Sequence, residues 1–251
     1  MLKTETPDQG GPGRLAVCAT PIGNLGDLSQ RVISTLRAAD AILAEDTRVT
    51  RRLLAHLDIH TPLERCDQNV LAGRLMELVE RVRTGQYLAF VSDAGTPGVA
   101  DPGALLVQAM RNAELPVEVL PGASAVLVAL VASGFTAPAF YFGGWLPRKS
   151  SERQRLLQKL AELPATLLFY ESAARLQSSV TDLAVVFSER RICLARELTK
   201  LHEEVLIMAP DALLAELTLR AERGQAVRGE IVLVVEAAAR PAPRVHLDKY
   251  Q

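Results

Sequence analysis

The 251-residue sequence contains only three cysteines, and Cys18, Cys66 and Cys193 are widely separated. It has no CxxC pair and no Cys/His cluster at metal-ligand spacing, which argues against a disulfide framework and against a structural zinc site. We expect reduced thiols and no bound metal. The four histidines also fall outside any nucleophile-elbow or metal-binding context, so hydrolase and metalloenzyme chemistry have little support.

Long apolar runs and a large net charge are also absent. The most apolar stretch, 119–135, is broken by a Pro-Gly pair and contains two serines. It is too short to cross a bilayer and predicts a buried helix. Residues 1–13 lack the apolar core of a signal peptide, so we expect a cytoplasmic protein. Since the formal net charge is −1, a nucleic-acid partner would have to be held by a local basic patch.

From Arg14 onward, short apolar segments alternate with helical patterns. This alternation is typical of a mostly parallel sheet with helices on both faces. The predicted strands are 15–19, 41–44, 87–91 and 117–120, with a short segment at 63–65. The predicted helices are 28–39, 47–57, 71–84 and 102–112.

A second unit is predicted after the turn-like composition of 134–138. Its predicted strands are 140–143, 166–170, 191–195, 204–208 and 230–235, and its predicted helices are 150–163 and 211–223. Because the strands within 191–208 follow each other directly, we expect a mixed sheet here. The predicted organisation is a disordered tail (1–13), an N-terminal α/β domain (14–136), a smaller C-terminal α/β domain (137–237) and a loose tail (238–251).

Three loops after predicted strands have the features of a ligand site, because open α/β sheets bind ligands beyond the carboxyl ends of their strands. The first, 20–27, contains two glycines that would let backbone approach a ligand, although a plain turn has the same composition. The second, 91–103, is long and rich in small residues, which favours a wall of backbone groups over an Asp-capped helix with a long turn. In the third, 121–125, Ser124 is either a helix cap, the commoner role, or a ligand contact.

The loops contain neither GxGxxG nor a P-loop motif, and no Lys or Arg is placed for phosphate. The expected ligand therefore carries little negative charge. Mixed-charge clusters follow three strands: 45–48 with Arg51 and Arg52 one turn later, 170–172, and 196–200. Such clusters are often only salt-bridged surface, but their position at strand ends makes a functional role an equal alternative.

These loops and clusters form an ordered series of motifs. They are TPIGNL at 20–25, AEDTR at 44–48, SDAGTPG at 92–98, DPG at 101–103, PG at 121–122, LPRK at 146–149, FYES at 169–172 and ARELTK at 195–200. The series resembles the ribosomal RNA small subunit methyltransferase I family, a branch of the tetrapyrrole (precorrin-type) methylases. The resemblance covers about residues 14–235, and the block at 92–103 is its most specific part.

The resemblance implies the tetrapyrrole methylase fold, with S-adenosylmethionine bound in a cleft between two α/β domains, usually in a homodimer. It implies 2′-O-methylation of a cytidine ribose in the decoding region of small-subunit (16S) ribosomal RNA. The substrate would be the RNA or the assembled 30S subunit, with neither membrane nor DNA as a partner. The cofactor contacts that it implies are Pro21, Gly23, Asp93, Ala94, Gly95, Thr96, Pro97, Ser124, Ala125, Tyr170 and Leu198.

A ribose hydroxyl is a poor nucleophile, so we expect a carboxylate near it to act as a base. The candidates are Glu45, Asp46 and Glu197. Arg48 and Arg196 would orient phosphate or carboxylate groups. The predicted RNA-binding residues are Arg48, Arg51, Arg52, Arg148 and Lys149. We call these residues the basic rim. Arg153 and Arg155 either extend it or belong only to a charged, solvent-exposed face of the following helix.

The chain departs from the resembled family at 65–70 and at Ala173-Ala174, on segments outside the cofactor loops. Two alternatives use the same fold: a methyltransferase for a small molecule of the tetrapyrrole type, and a non-catalytic RNA- or ribosome-binding protein. Fold alone does not separate them. The scarcity of aromatic residues, 4% of the sequence, and the match to the RNA branch favour the RNA substrate.

Overall fold

The computed structural model of the chain describes residues 13–238. Residues 1–12 and 239–251, which make up nearly all of the two predicted tails, lie outside the described residues. Contacts between Cα atoms divide the described chain into two compact units. The first contains 13–128 with Leu198–Leu201, and the second contains 129–197 with 202–238. The domain boundary between 136 and 137 stays a prediction.

The first unit is built on a five-stranded sheet. Its strands are β1 (Arg14–Cys18), β2 (Ala41–Ala44), β3 (Leu63–Arg65), β4 (Tyr87–Val91) and β5 (Val117–Leu120). Its helices are α1 (Gln30–Ala38), α2 (Thr47–His56), α3 (Gln68–Arg83) and α4 (Gly103–Asn112), with a short 3-10 helix at Leu25–Asp27. The strand order is β3-β2-β4-β1-β5, and every pairing is parallel.

Helices cover both faces of this sheet because successive side chains of a strand point to opposite sides. Ala16 and Ala89 pack on one side with apolar residues of α1 and α2. Leu15 and Phe90 pack on the other side with apolar residues of α3 and α4. The predicted parallel sheet with two covered faces is confirmed.

The second unit also contains a five-stranded sheet, and this one is mixed. Its strands are β6 (Phe140–Trp145), β7 (Thr166–Ser172), β8 (Ile192–Arg196), β9 (Glu204–Met208) and β10 (Glu230–Val235). In the order β6-β7-β10-β8-β9, only the β6–β7 pair is parallel. Its helices are α6 (Ser150–Lys159), α7 (Leu176–Val186) and α8 (Pro210–Glu222). The predicted mixed sheet is confirmed.

Helix α7 is not predicted from the sequence. Its first half contains two adjacent serines followed by Val180 and Thr181, and these residue types have low helix propensity. In the structure Leu176, Val180 and Leu183 join a core formed by β7, β8, β10, α6 and α8. Tertiary packing therefore stabilises a helix whose local sequence favours it only weakly.

The helix predicted within 119–135 is α5 (Ala125–Ser133), which begins in the first unit and ends in the second. Val126 and Ala129 are buried, but Leu127 is 51% exposed and Val131 is 80% exposed. The predicted helix is therefore present but only partly buried, because α5 is apolar all round and only part of it is covered. No helix within residues 13–238 has the length and apolar character needed to cross a membrane.

The packing of α7 is tested by two truncations on the same helix. Leu183→Ala should lower the free energy of unfolding by about 2–5 kcal/mol, because Leu183 is fully buried and its truncation leaves a cavity. Val185 is 66% exposed, so Val185→Ala should change the free energy of unfolding by less than about 0.5 kcal/mol. Urea unfolding followed by circular dichroism measures both values, and equal effects would contradict the packing of α7.

Candidate active site

Backbone hydrogen bonds join the loops that follow β1 and β4. The N–H of Thr20 donates to the carbonyl of Gly95 at 2.9 Å, and the N–H of Gly95 donates back to Thr20 at 3.0 Å. The Thr20 hydroxyl also donates to the carbonyl of Ser92 at 3.2 Å. Gly95 has a φ of 78°, which glycine adopts without strain. Two of the three predicted ligand loops therefore meet at the carboxyl ends of neighbouring parallel strands.

The third loop, between β5 and α5, is joined to the second. The Thr96 hydroxyl donates to the carbonyl of Ala123 at 3.1 Å. A Cβ atom at Gly122 would lie 2.6 Å from the Cβ of Ala19, so the close approach to the end of β1 requires glycine. Ser124 immediately precedes α5, and its carbonyl accepts the N–H of Val128 at 3.0 Å, as at a helix cap.

The segment Leu198–Leu201 packs against the loop after β1, although it is distant in the sequence. A Cβ atom at Gly23 would lie 2.4 Å from Cγ of Lys200, 2.8 Å from Oγ1 of Thr199 and 3.1 Å from the Leu198 carbonyl oxygen. Only a residue without a side chain fits this contact. The structure therefore brings two predicted cofactor residues, Gly23 and Leu198, close together within the first unit.

Asp101 organises the far end of the second loop. Its carboxylate accepts the N–H of Gly98 at 2.8 and 2.9 Å and the N–H of Gly103 at 2.8 Å. Gly103 is the first residue of α4 and Pro102 is its N-cap, so Asp101 binds the first N–H of the helix from the residue before the cap position. This arrangement leaves the near end of the loop, from Asp93 to Pro97, as the part that meets the other two loops.

A cavity of about 400 Å³ lies between the loop after β1, helix α2 and Ser92-Asp93. This volume lies within the usual range for small-ligand pockets. Three predicted cofactor residues, Pro21, Gly23 and Asp93, line the cavity together with Arg52, which is predicted to bind RNA.

Carboxylates collect at the carboxyl ends of β2 and β4. The Asp93 carboxylate accepts the backbone N–H of Asp46 at 2.9 Å. Loss of hydration, followed by the nearby negative charges of Asp93 and Asp101, raises the pKa of Glu45 above its usual range. Loss of hydration is also the main cause of the raised pKa of Asp93. A carboxyl with a raised pKa is the better proton acceptor.

Asp46 has the opposite electrostatic environment. Its carboxylate caps α2 by accepting the N–H of Arg48 at 2.8 Å, and it accepts Nε and Nη2 of the same residue at 3.0 and 2.6 Å. These hydrogen bonds to Arg48 lower the pKa of Asp46 to about 2. Asp46 is therefore a weak base, and the Arg48 guanidinium already has a partner.

Glu197, the third candidate carboxylate, lies at the end of β8 in the second unit. Its φ is 49°, and its carboxylate accepts the backbone N–H of Glu230 at 2.9 Å. A Cβ atom at Gly229 would lie 2.5 Å from the carboxylate carbon of Glu197. Glu197 therefore fixes the backbone where β8 ends, immediately before Leu198.

Tyr170 contacts two of the few aromatic residues of the chain. Its ring lies 4.9 Å from the Phe142 ring in an edge-to-face arrangement and 5.6 Å from the Trp145 ring. Trp145 is 55% exposed. The Gly-Gly pair in β6, where the register with β7 shifts, is the sequence signal that could have pointed to this aromatic cluster.

The residues predicted to form a basic rim lie in two places. Arg48, Arg51 and Arg52 are exposed on α2 in the first unit, while Arg148 and Lys149 are exposed before α6 in the second. Arg155 is also exposed. The prediction that Arg153 extends the rim is wrong, because its side chain is 2% exposed and is paired with Asp182.

The two segments that differ from the resembled family, 65–70 and Ala173-Ala174, each lie at an ion pair. Asp67 caps α3 by accepting the N–H groups of Asn69 and Val70 and pairs with Arg65. Ala173-Ala174 separates Glu171 from its partner Arg175. Within 13–238, no group of three or more His, Cys, Asp or Glu side chains is arranged to hold a metal ion.

The chain is similar to known proteins over most of its length. Residues 14–213 match the family model described as Tetrapyrrole (Corrin/Porphyrin) Methylases. A Xylella fastidiosa protein named "Ribosomal RNA small subunit methyltransferase I" is 46% identical over 233 residues, which cover 91% of this chain and 83% of that protein. A Synechocystis protein of the same name is 46% identical over 193 residues, with coverages of 76% and 69%.

Among solved structures, uroporphyrin-III C-methyl transferase from Thermus thermophilus, complexed with S-adenyl homocysteine, has a similar fold. The TM-score is 0.61 at 19% identity, and the match covers 89% of this chain and 97% of that chain. The two α/β units and the joined loops thus have the architecture of a tetrapyrrole methylase. The chain belongs to the tetrapyrrole (corrin/porphyrin) methylase family and, within it, to the ribosomal RNA small subunit methyltransferase I branch.

The unusual environment of Glu45 predicts a pH-dependent stability. Ionised Glu45 destabilises the folded state above its raised pKa, but below the unfolded pKa of about 4.3 it is protonated in both states and the effect vanishes. Glu45→Gln should therefore raise the Tm at pH 8 and leave it nearly unchanged at pH 4.

Glu64→Gln is the matched control with the opposite sign. Arg81 and Arg74 lower the pKa of Glu64 to about 2, so the ionised group stabilises the fold at pH 8. This contribution is lost as the pH falls from about 4.3 through 2. Glu64→Gln should lower the Tm at pH 8. Thermal unfolding measures the Tm of both variants. Tm shifts of the same sign at pH 8 would contradict the opposite pKa shifts of Glu45 and Glu64.

Proposed function

We propose that this protein transfers a methyl group from S-adenosylmethionine to the 2′-hydroxyl of a cytidine ribose in the decoding region of small-subunit (16S) ribosomal RNA. The observation that carries the proposal is the junction of three loops rich in small residues at the carboxyl ends of β1, β4 and β5. Membership of the ribosomal RNA small subunit methyltransferase I branch supports the RNA substrate.

The residues at this junction fit the methyl donor. When bound, S-adenosylmethionine supplies a methyl group on a positively charged sulfonium, and Asp93, which lines the cavity beside these loops, provides negative charge nearby. The small residues Ala94 and Gly95 leave the backbone accessible for hydrogen bonds. The similar fold that holds S-adenyl homocysteine, the product of methyl transfer, supports this assignment. The proposed contacts are Pro21, Gly23, Asp93, Ala94, Gly95, Thr96, Pro97, Ser124, Ala125, Tyr170 and Leu198.

Glu45 is the proposed base. When bound, S-adenosylmethionine would give its methyl group to the ribose 2′-oxygen and leave as S-adenosylhomocysteine, and the Glu45 carboxylate would accept the hydroxyl proton. The raised pKa of Glu45 suits this role. Asp46, with a pKa of about 2, is better suited to capping α2. Glu197 is better suited to fixing the backbone before Leu198.

RNA phosphates are the proposed partners of the exposed basic residues. Arg51 and Arg52 on α2 are exposed, as are Arg148 and Lys149 before α6. Arg48 would exchange its exposed pairing with Asp46 for a phosphate, since exposed ion pairs are weak. We propose that the protein acts as a homodimer in the cytoplasm, where small ribosomal subunits are found.

Methyl transfer is tested by incubating the protein and labelled S-adenosylmethionine with purified 30S subunits and with naked 16S RNA. We expect label on the 2′-oxygen of a cytidine, located by nuclease digestion and mass spectrometry. Glu45→Gln should lower kcat by about 100-fold while the donor affinity is kept, because a general base contributes roughly that factor. Glu80→Gln, an exposed carboxylate change on α3, is the matched control.

The outcomes separate the rival functions. Donor binding without label in either RNA sample would favour a non-catalytic RNA- or ribosome-binding protein. Label on a tetrapyrrole, but not on RNA, would favour the small-molecule methyltransferase. Label on a base would contradict the ribose hydroxyl as acceptor.

The proposed binding of phosphates by Arg148 and Lys149, in the loop before α6, is tested through the salt dependence of RNA affinity. Arg148→Ala/Lys149→Ala should weaken binding of a 16S fragment and reduce the slope of log affinity against log salt by about 0.7–0.9 for each phosphate that the protein no longer neutralises. Arg83→Ala/Arg111→Ala removes the same charge from α3 and α4 and should leave the slope close to that of the unchanged protein. An affinity that does not change with salt would overturn the proposed binding of phosphates.

A further inference from the structure

The loop between β6 and α6, residues 146–149, is held by its backbone carbonyls. Nη1 of Arg175 donates to the Leu146 carbonyl at 3.0 Å. Nη1 of Arg153 donates to the carbonyls of Pro147 at 3.0 Å and Arg148 at 3.3 Å. Three successive carbonyls of this loop, which we call the LPRK loop, therefore accept hydrogen bonds from two arginines.

Arg153 is held in turn by a buried carboxylate. Its Nε donates to Asp182 at 2.6 Å, and the two side chains are 2% and 5% exposed. Nη2 of Arg153 also donates to the carbonyl of Ser178 at 3.2 Å. Asp182 accepts two further hydrogen bonds, from the Ser150 hydroxyl at 2.9 Å and from the Gln154 amide at 2.6 Å. The network is thus well satisfied despite its burial.

Arg175, directly before α7, has an equivalent arrangement. Its Nη2 lies 2.6 Å from a carboxylate oxygen of Glu171, which is fully buried. Glu171 also accepts the N–H of Ser172 at 2.7 Å and the hydroxyl of Ser179. Two independent arginine–carboxylate pairs therefore support the same short loop from its inner side.

The backbone of the LPRK loop is held by hydrogen bonds, but its two cationic side chains are exposed. Arg148 and Lys149 are exposed, and the pair between Lys149 and Glu152 is also exposed, at 77% and 51%. An exposed pair of this kind is weak and is readily exchanged for a phosphate. The loop thus combines a fixed backbone with two cationic side chains available to a partner.

We propose that Arg153 and Arg175 are positioning residues that present Arg148 and Lys149 to RNA phosphates. Buried ion pairs add little net stability, because the loss of hydration offsets much of the attraction. Their effect here is to fix the LPRK loop before RNA arrives, so that less ordering is required on binding. The planar guanidinium is needed because it bonds a carboxylate and carbonyls at once, which a lysine ammonium cannot do in the same geometry. This inference rests on the proposed RNA substrate.

The test uses Arg153→Lys/Arg175→Lys, which keeps positive charge opposite Asp182 and Glu171 but removes the guanidinium hydrogen bonds. Arg220→Lys is the matched control in the same unit. Arg220 is paired with Glu204 and Glu216 and is 23% exposed, close to the 24% of Arg175. The amide order parameters of Arg148 and Lys149, measured by NMR relaxation, should fall from about 0.85 to below about 0.6 in the double variant only.

RNA affinity supplies the second measurement. The double lysine variant should bind a 16S fragment about five-fold more weakly, because the loop must then be ordered on binding. Its affinity for S-adenosylmethionine should not change. In the Arg148→Ala/Lys149→Ala background, the same lysine changes should cause no further loss, since the side chains that they position are absent.

The outcomes distinguish this inference from the proposed function. A further loss of RNA affinity in that background would show a general structural effect and overturn the positioning role. Unchanged order parameters, with a clear loss of affinity in Arg148→Ala/Lys149→Ala, would overturn the positioning role alone. If Arg148→Ala/Lys149→Ala leaves RNA affinity unchanged, the RNA-binding role of the loop fails together with this inference.

Discussion

The exchange of two hydrogen bonds between Thr20 and Gly95 is the contact on which the candidate site depends. A parallel sheet brings the carboxyl ends of its strands to one edge, but the loops beyond that edge are otherwise free to diverge. The Thr20–Gly95 pair joins the first two loops, and the Thr96 hydroxyl then joins the second to the third. Glycines at 23, 95 and 122 allow the approach, because each lies where a side chain would clash or a positive φ is required.

Two adjacent carboxylates at the end of β2 have opposite electrostatic environments. Glu45 is partly removed from water and lies near other negative charges, whereas Asp46 is paired with the Arg48 guanidinium. The pKa of one is raised and that of the other is lowered, although they are neighbours in the sequence. This divergence is what makes Glu45 the better candidate for the proposed base.

Much of this architecture could be predicted from sequence, because β2 and β4 are apolar throughout and β1, β4 and β5 each precede a loop rich in small residues. The ordered series of motifs, with the block at 92–103 as its most specific part, predicts the family, and this prediction is confirmed. Helix α7 could not be predicted, since its serines and β-branched residues favour a helix only once Leu176 and Leu183 are packed. Arg153 was wrongly predicted to be surface because nothing local reveals its partner Asp182, 29 residues further along the chain. Which carboxylate has the raised pKa likewise depends on contacts between distant loops.

The packing of Leu198–Leu201 on Gly23 has a consequence for biosynthesis. The first unit is not continuous in sequence: its last piece comes after most of the second unit has been made. Domains often fold one after another as the chain emerges during translation. Here an emerging chain that ends before residue 198 lacks the wall against which the loop after β1 rests. The loop after β1 therefore reaches its final packing late in synthesis, when β8 has already been made.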